Sequence, residues 1–100
     1  MHIYHVVPEG LWKSFHGSVF EIENQDAEGF IHCSFAEQID GVLKRYYSDA
    51  KRVVILEIDP SKLKSKLVIE SSTGGENYPH VYGPINIDAV VGVQKREIAE

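Results

Sequence analysis

The run Arg52-Val53-Val54-Ile55-Leu56-Glu57-Ile58-Asp59 constrains this chain more than any other stretch. β-Branched residues in so short a block predict a strand. Because the apolar residues fall on consecutive rather than alternate positions, that strand has to be covered on both faces. Its unbroken apolar part, Val53 to Leu56, is far below the ~20 residues needed to cross a bilayer, so no membrane-spanning protein is expected. The rest of a 100-residue chain must supply cover for one central strand, which fits a single domain over residues 1–100 with one core. The composition agrees, since 43% hydrophobic and 25% charged residues are the balance of a globular domain rather than a disordered one.

Most other elements are readable from spacing. His2 to Val7 predicts an opening strand, ended by Pro8-Glu9-Gly10, and Leu11, Trp12 and Phe15 fall at helical spacing in a short helix closed by Gly17. Residues 18–28 predict irregular structure that could border a pocket. Phe30 to Cys33 reads as a second strand. Ser34-Phe35-Ala36-Glu37 then matches a capping box, in which the Ser hydroxyl and Glu carboxylate satisfy free backbone donors at a helix start. Phe35, Ile39, Val42, Leu43 and Tyr46 recur at steps of three and four, the buried stripe of an amphipathic helix reaching about Tyr47. Trp12, Phe35 and Tyr46 are assigned to the core.

Beyond the central run, Asp59-Pro60 reads as an N-cap with proline at the first helical position, giving one turn through Leu63. Leu67 to Glu70 predicts a short strand, and residues 71–77 a polar turn that delivers Tyr78-Pro79. Ile85 to Ala89 reads as a linker or single turn, Val90 to Val93 as a last strand and Gln94 to Glu100 as a charged tail. Strand, helix, strand, helix, strand and then several short strands fit an α+β domain; too few crossover helices are available for a doubly wound parallel sheet.

Three histidines sit on short apolar runs, in Ile3-Tyr4-His5-Val6-Val7, Gly29-Phe30-Ile31-His32-Cys33-Ser34 and Pro79-His80-Val81-Tyr82-Gly83-Pro84. An imidazole donates, accepts, binds metal and changes charge near neutral pH, so three of them projecting from one sheet would make a site. Strand alternation puts Phe30, His32 and Ser34 on one face and Ile31 and Cys33 on the other, which separates His32 from Cys33. Cys33 therefore reads as a small buried hydrophobe and not as a nucleophile. By the same rule His80 shares a face with Tyr82, and His5 with Ile3 and Val7, whereas His2 opposes His5 and reads as a surface residue; His16 has no comparable context.

Each candidate has a structural explanation beside the functional one. A lone histidine such as His5 commonly donates to a carbonyl. Ser34 is explained by the cap, although a capping serine also sits where an anion is welcomed. Tyr82 either packs or presents its ring for stacking on a planar ligand. Glu70 shares a strand face with Val68 and can point towards His80 or to water, and Glu76 lies in the loop; either could serve as a general base or bind ribose hydroxyls.

Charge narrows the partners. A net −5 with ten Lys and Arg spread along the chain offers no basic stripe, so a nucleic-acid polymer is not expected, while a small anionic ligand stays open. A single cysteine forms no internal disulfide, and the N-terminus has no basic segment followed by a long apolar stretch, so a cytoplasmic protein without an export signal is expected. The absence of heptads argues against a coiled-coil dimer and leaves the oligomeric state open.

Together Ile3-Tyr4-His5, Glu28-Gly29-Phe30-Ile31-His32-Cys33-Ser34, Ile58-Asp59-Pro60 and Pro79-His80-Val81-Tyr82-Gly83-Pro84 closely resemble the small bacterial family of domain of unknown function 952 (DUF952), over almost the whole chain. The family name carries no activity. The resemblance implies a fold similar to ADP-ribosyltransferases, including RNA 2'-phosphotransferases: a compact split β-sheet with short flanking helices around an NAD-binding cleft. In that superfamily a first-strand histidine holds the NAD ribose, a second-strand residue and an aromatic ring frame the nicotinamide, and a later glutamate steadies the reacting ribose.

His5 matches the first of these positions, Ser34 or His32 the second strand, and His80 or Tyr82 the late strand, with Gly83 next in the same block. The resemblance thus implies nucleotide contacts by His5, Ser34, His80, Tyr82 and Gly83, and chemistry by His5, His32, His80 and an acid. The match breaks at that acid, because the late strand offers His80-Val81-Tyr82 and Glu70 or Glu76 would have to reach in. A phosphotransferase fits less well, since it resembles an arginine-rich phosphate site and Arg45, Arg52 and Arg96 all lie outside the histidine blocks.

Three functions compete. The first is an enzyme, or a degenerate relative, that binds NAD or an ADP-ribose compound and transfers ADP-ribose. The second is a non-catalytic module binding a nucleotide or another small polar ligand, and the third a zinc hydrolase with three histidine ligands. The chain lacks the short ligand spacing of helical zinc motifs, which ranks the third last.

Overall fold

The computed structural model describes residues 1–13, 19–20, 29–71 and 75–98. The described strands form two three-stranded antiparallel sheets and a two-stranded ribbon. In the first sheet β1 (Ile3–Pro8), β4 (Arg52–Ile58) and β8 (Val90–Glu97) lie in the order β1-β4-β8. In the second, β3 (Ile31–His32), β6 (Asn77–Tyr82) and β5 (Lys66–Ser71) lie in the order β3-β6-β5, while β2 (Val19–Phe20) pairs with β7 (Ile85–Asn86). The described helices are α1 (Glu9–Lys13) and α2 (Ile39–Tyr46), with single 3-10 turns at Ala36–Gln38, Pro60–Lys62 and Ile87–Ala89. The expected α+β class holds, with the β-structure divided between two small antiparallel sheets.

β4 is central in its sheet and buried on both faces, as its sequence demands. Val54, Leu56 and Ile58 pack with Ile3 and Val7 of β1 and with Ile31, Cys33 and Val81 of the second sheet. Val53 and Ile55 point the other way, onto Val6, Tyr78 and the Ile39, Val42 and Leu43 stripe of α2. Both faces of the first sheet are therefore covered, one by Ile31, Cys33 and Val81 and the other by α2 together with Tyr78 of the second sheet. Each buried Val, Ile or Leu contributes roughly 1.5–3 kcal/mol, so neither face can be given up.

Among the described residues the two main sheets meet at one bridge. The Tyr4 N–H donates to the Ser34 carbonyl at 2.8 Å and the Ser34 N–H to the Tyr4 carbonyl at 2.7 Å. In an antiparallel ladder the next hydrogen-bonded pair, two residues on, would be Val6 with His32. Here the His32 carbonyl instead accepts from His5 Nδ1 at 2.8 Å, and the Val6 carbonyl accepts from the Tyr47 hydroxyl at 3.1 Å. Two side chains take the acceptors that the missing rung would have used, and the strands part at that point.

Several boundaries differ from expectation for identifiable reasons. Ser34 is no helix cap, because its backbone is spent on the bridge to Tyr4. The cap moves one residue on, to Phe35, whose N–H donates to Gln38 Oε1 at 2.9 Å. Tyr46, expected in the buried stripe, is 53% exposed at the end of α2, while Trp12 and Phe35 pack partly buried against the core. The expected charged tail is a strand to Glu97, since Lys95, Arg96 and Glu97 pair with Val54, Val53 and Arg52 of β4. Such a charged edge strand resists pairing with further chains. Within the expected linker, Ile85–Asn86 is β7, and within the expected irregular loop Val19–Phe20 is β2. Phe15, His16, Gly17 and most of residues 18–28 lie outside the described residues. The Asp59 cap holds, with Oδ1 accepting from Ser61 N at 3.0 Å.

Candidate functional site

Strand register assembles the site. β3 sets His32 opposite His80, and β5 sets Lys66, Val68 and Glu70 opposite Tyr82, His80 and Tyr78. Residues opposite one another share a face, so His32, Glu70, Tyr78, His80 and Tyr82 form one face, while Ile31, Cys33 and Val81 on the other enter the core. The Cys33 N–H donates to the Pro79 carbonyl at 3.0 Å, which makes the adjacent His32–His80 pair a non-hydrogen-bonded one, the kind whose side chains approach most closely. Their ring centroids are 5.2 Å apart.

His80 is the centre of this face. It is 2% exposed, with Phe30 stacked flat on its ring at 4.0 Å and an interplanar angle of 18°. Its Nδ1 lies 2.8 Å from Glu70 Oε1, which also accepts from the Tyr82 hydroxyl. An ionised carboxylate only accepts, so Nδ1 is the donor, and in the neutral form of the ring the lone pair is on Nε2. That Nε2 is buried and has no hydrogen-bond partner among the described residues. The hydrogen bonds from Tyr82 first and His80 second hold the Glu70 carboxyl below the usual carboxylate range, and the bond to Glu70 pushes the Tyr82 phenol up.

The remaining rings close the face. Tyr82 is tilted against Phe30 with centroids 5.4 Å apart, and Tyr78 against His32 at 4.8 Å. Burial first, and the charge that His80 carries when protonated second, lower the His32 pKa and so disfavour its protonation. The nearby Tyr78 raises the pKa of Arg45 on α2, and exposed Lys66 faces Tyr82 across the strand pair.

The other expected site residues are placed elsewhere. His5 lies on the face of β1 that carries Ile3 and Val7 and spends Nδ1 on the His32 carbonyl, so the three imidazoles do not project from one face. Burial lowers its pKa to about 4, against the smaller opposing effect of the bond to His32. Ser34 is buried at the bridge. Glu76 accepts from the Tyr78 hydroxyl at 3.1 Å. Gly83 has φ +141°, and a Cβ there would stand 2.5 Å from Ser65 Oγ, which itself donates to the Pro84 carbonyl at 2.6 Å. A tight turn thus accounts for Gly83. Burial pushes the Cys33 thiol pKa up, in keeping with a core role. His2, expected at the surface, is partly exposed and pairs with Glu57 at 2.5 Å.

Phe30 and Tyr78 are the site residues that sequence reasoning did not single out. The signal for Phe30 was its shared face with His32; nothing short of the β5–β6 register places Tyr78 beside it. No three His, Cys, Asp or Glu side chains among the described residues are placed to hold one metal ion, so the three-histidine zinc site lacks its geometry. An open groove lined by Pro8, Glu9, Asp49, Arg52 and Glu97 lies apart and holds none of the candidates. Among the described residues no helix is long and apolar enough to cross a membrane.

Fold and site together define an α+β domain of two antiparallel sheets parted at a histidine-braced fork, one sheet presenting a histidine, glutamate and aromatic face. The model of the family described as Protein of unknown function (DUF952) matches residues 6–93, and the chain belongs to that family. A crystal structure of protein CC0527 from Caulobacter crescentus is similar, with 26% identity over 97% of this chain and 85% of that one and a TM-score of 0.81. The solution NMR structure of CC0527 gives 26% identity over 96% and 83%, with a TM-score of 0.71. No curated protein matches the chain.

Proposed function

We propose that this domain binds a small polar ligand of nucleotide type on the face made by Phe30, His32, Glu70, His80 and Tyr82. NAD or an ADP-ribose compound is the form that the resemblance to ADP-ribosyltransferases favours. The observation that carries the reading is His80 Nε2, a buried polar atom with no partner among the described residues. Leaving such an atom unsatisfied costs about 1–3 kcal/mol, a cost that an apolar residue at the same position would avoid. A ligand that donates to Nε2 removes it. Phe30 and Tyr82 supply flat apolar surface for a planar group, and Glu70 fixes the ring that receives it.

Binding is favoured over transfer by the state of the acids. Stabilising a ribose cation asks for a carboxylate free to face it, whereas Glu70 Oε1 accepts two hydrogen bonds and Glu76 is engaged by Tyr78. His5, braced at the fork, serves the fold in this reading. Titration of isotopically labelled protein with NAD should give saturable shifts clustered on His32, His80 and Tyr82, lost in His80→Ala. Absence of shifts at millimolar NAD would overturn the nucleotide reading, and release of nicotinamide during the titration would restore the enzyme.

A further inference from the structure

The floor of this face offers acceptors. Glu70 is a carboxylate, and because His80 Nδ1 donates to it, Nε2, buried and without a partner among the described residues, is the acceptor nitrogen of that ring in its neutral form. The neighbouring His32 ring is 5.2 Å away, and burial disfavours its protonation. Lys66, opposite Tyr82, and Arg45, whose pKa Tyr78 raises, are exposed side chains at its margin and not part of the His32–His80 floor. A phosphate presents only acceptors and negative charge, so it would meet a lone pair at His80 and a carboxylate at Glu70. A hydroxyl or N–H meets its complement.

We propose that the His32–His80 floor takes the hydroxyl or N–H donors of an uncharged or cationic group and turns phosphate away, so that a nucleotide would enter it by its nucleoside end. The inference rests on the nucleotide reading above and deepens it, since it states which part of such a ligand is recognised. Anchoring through phosphate, the usual source of nucleotide affinity at basic sites, is here confined to the margin.

Three probes separate the outcomes: NAD, nicotinamide riboside, which keeps a ribose and a cationic ring without phosphate, and inorganic pyrophosphate. Ring nitrogen and backbone resonances are followed at one pH and ionic strength. Nicotinamide riboside is expected to shift His80 and His32 in the same direction as NAD, and a tenfold excess of pyrophosphate is expected to leave NAD binding within twofold. His80 Nε2 is expected to resonate as an unprotonated acceptor in the free protein. A pyrophosphate-induced shift at His80, displacement of NAD by pyrophosphate, or an Nε2 that carries the proton in the free protein would each overturn the inference while leaving nucleotide binding intact. Silence with all three probes would overturn both. Glu70→Gln separates orientation from charge: it keeps an acceptor oxygen for Nδ1, so riboside shifts should persist, and their loss with the fold retained would show that the carboxylate charge sets the preference.

Discussion

Acidification should unfold this protein partly through His5. The ring is 5% exposed, its Nδ1 donates to the His32 carbonyl at the fork, and burial lowers its pKa from 6.5 to about 4. The folded state therefore binds this proton less readily than the unfolded chain. The His5 contribution is fully present above pH 6.5 and is lost as pH falls towards 4. A gap of about 2.5 pKa units corresponds to roughly 3 kcal/mol over the whole window, and to about 2 kcal/mol between pH 7.5 and pH 5.

His32 acts in the same direction, because burial lowers its pKa as well. A substitution must therefore isolate His5. His5→Asn places an amide N–H near the position of Nδ1, so the carbonyl of His32 keeps a donor while the titrating group is gone. Urea unfolding of both proteins at pH 7.5 and pH 5 should show the wild type losing about 2 kcal/mol more than the variant. Equal losses, within about 0.5 kcal/mol, would refute the reasoning. Should the variant fold poorly at pH 7.5, the ring resonances of His5 in the wild type decide the matter: a midpoint near 6.5 would mean that the proton is not excluded by burial.

Three further outcomes are expected. Asn86→Ala removes the acceptor for Lys64 N–H at 3.0 Å and the donor to the Lys62 carbonyl at 2.9 Å; it should cost about 2 kcal/mol, read as a drop in melting temperature of roughly 8–15 °C. Gly83→Ala should destabilise by roughly 1–2 kcal/mol, and pairing it with Ser65→Gly should recover the part due to the clash but not the part due to the backbone; complete recovery would show that φ +141° carries no strain. Tyr82→Phe removes a hydrogen bond from Glu70, so the Glu70 carboxyl should titrate closer to the usual carboxylate range; an unchanged carboxyl carbon titration would show that Tyr82 does not hold it.

Local chemistry made much of this molecule legible in its sequence. The two-sided apolar run of β4, the Ile39, Val42 and Leu43 stripe, the Asp59-Pro60 cap and the division of His32 from Cys33 all follow from periods of 2 and 3.6 residues and from capping, which act within a few residues. What those periods omit is which partner each face meets. A strand apolar on both sides carries no mark telling Val53 and Ile55 to face α2 and Val54 and Leu56 to face the second sheet. Only the pairing with β1 and β8 decides it.

The site was undecidable for the same reason. Three histidines on strands were visible, but their grouping depends on register between segments far apart in the chain: His32 with His80 across β3 and β6, and Glu70 with His80 across β5 and β6. His5 drops out of that group because one bridge, Tyr4 with Ser34, ends where a longer ladder would have continued, and its ring fills the gap. Alternation told each strand which side chains travel together. Tertiary pairing alone determined which strands face one another, because hydrogen-bond register is a relation between segments and is written in neither of them.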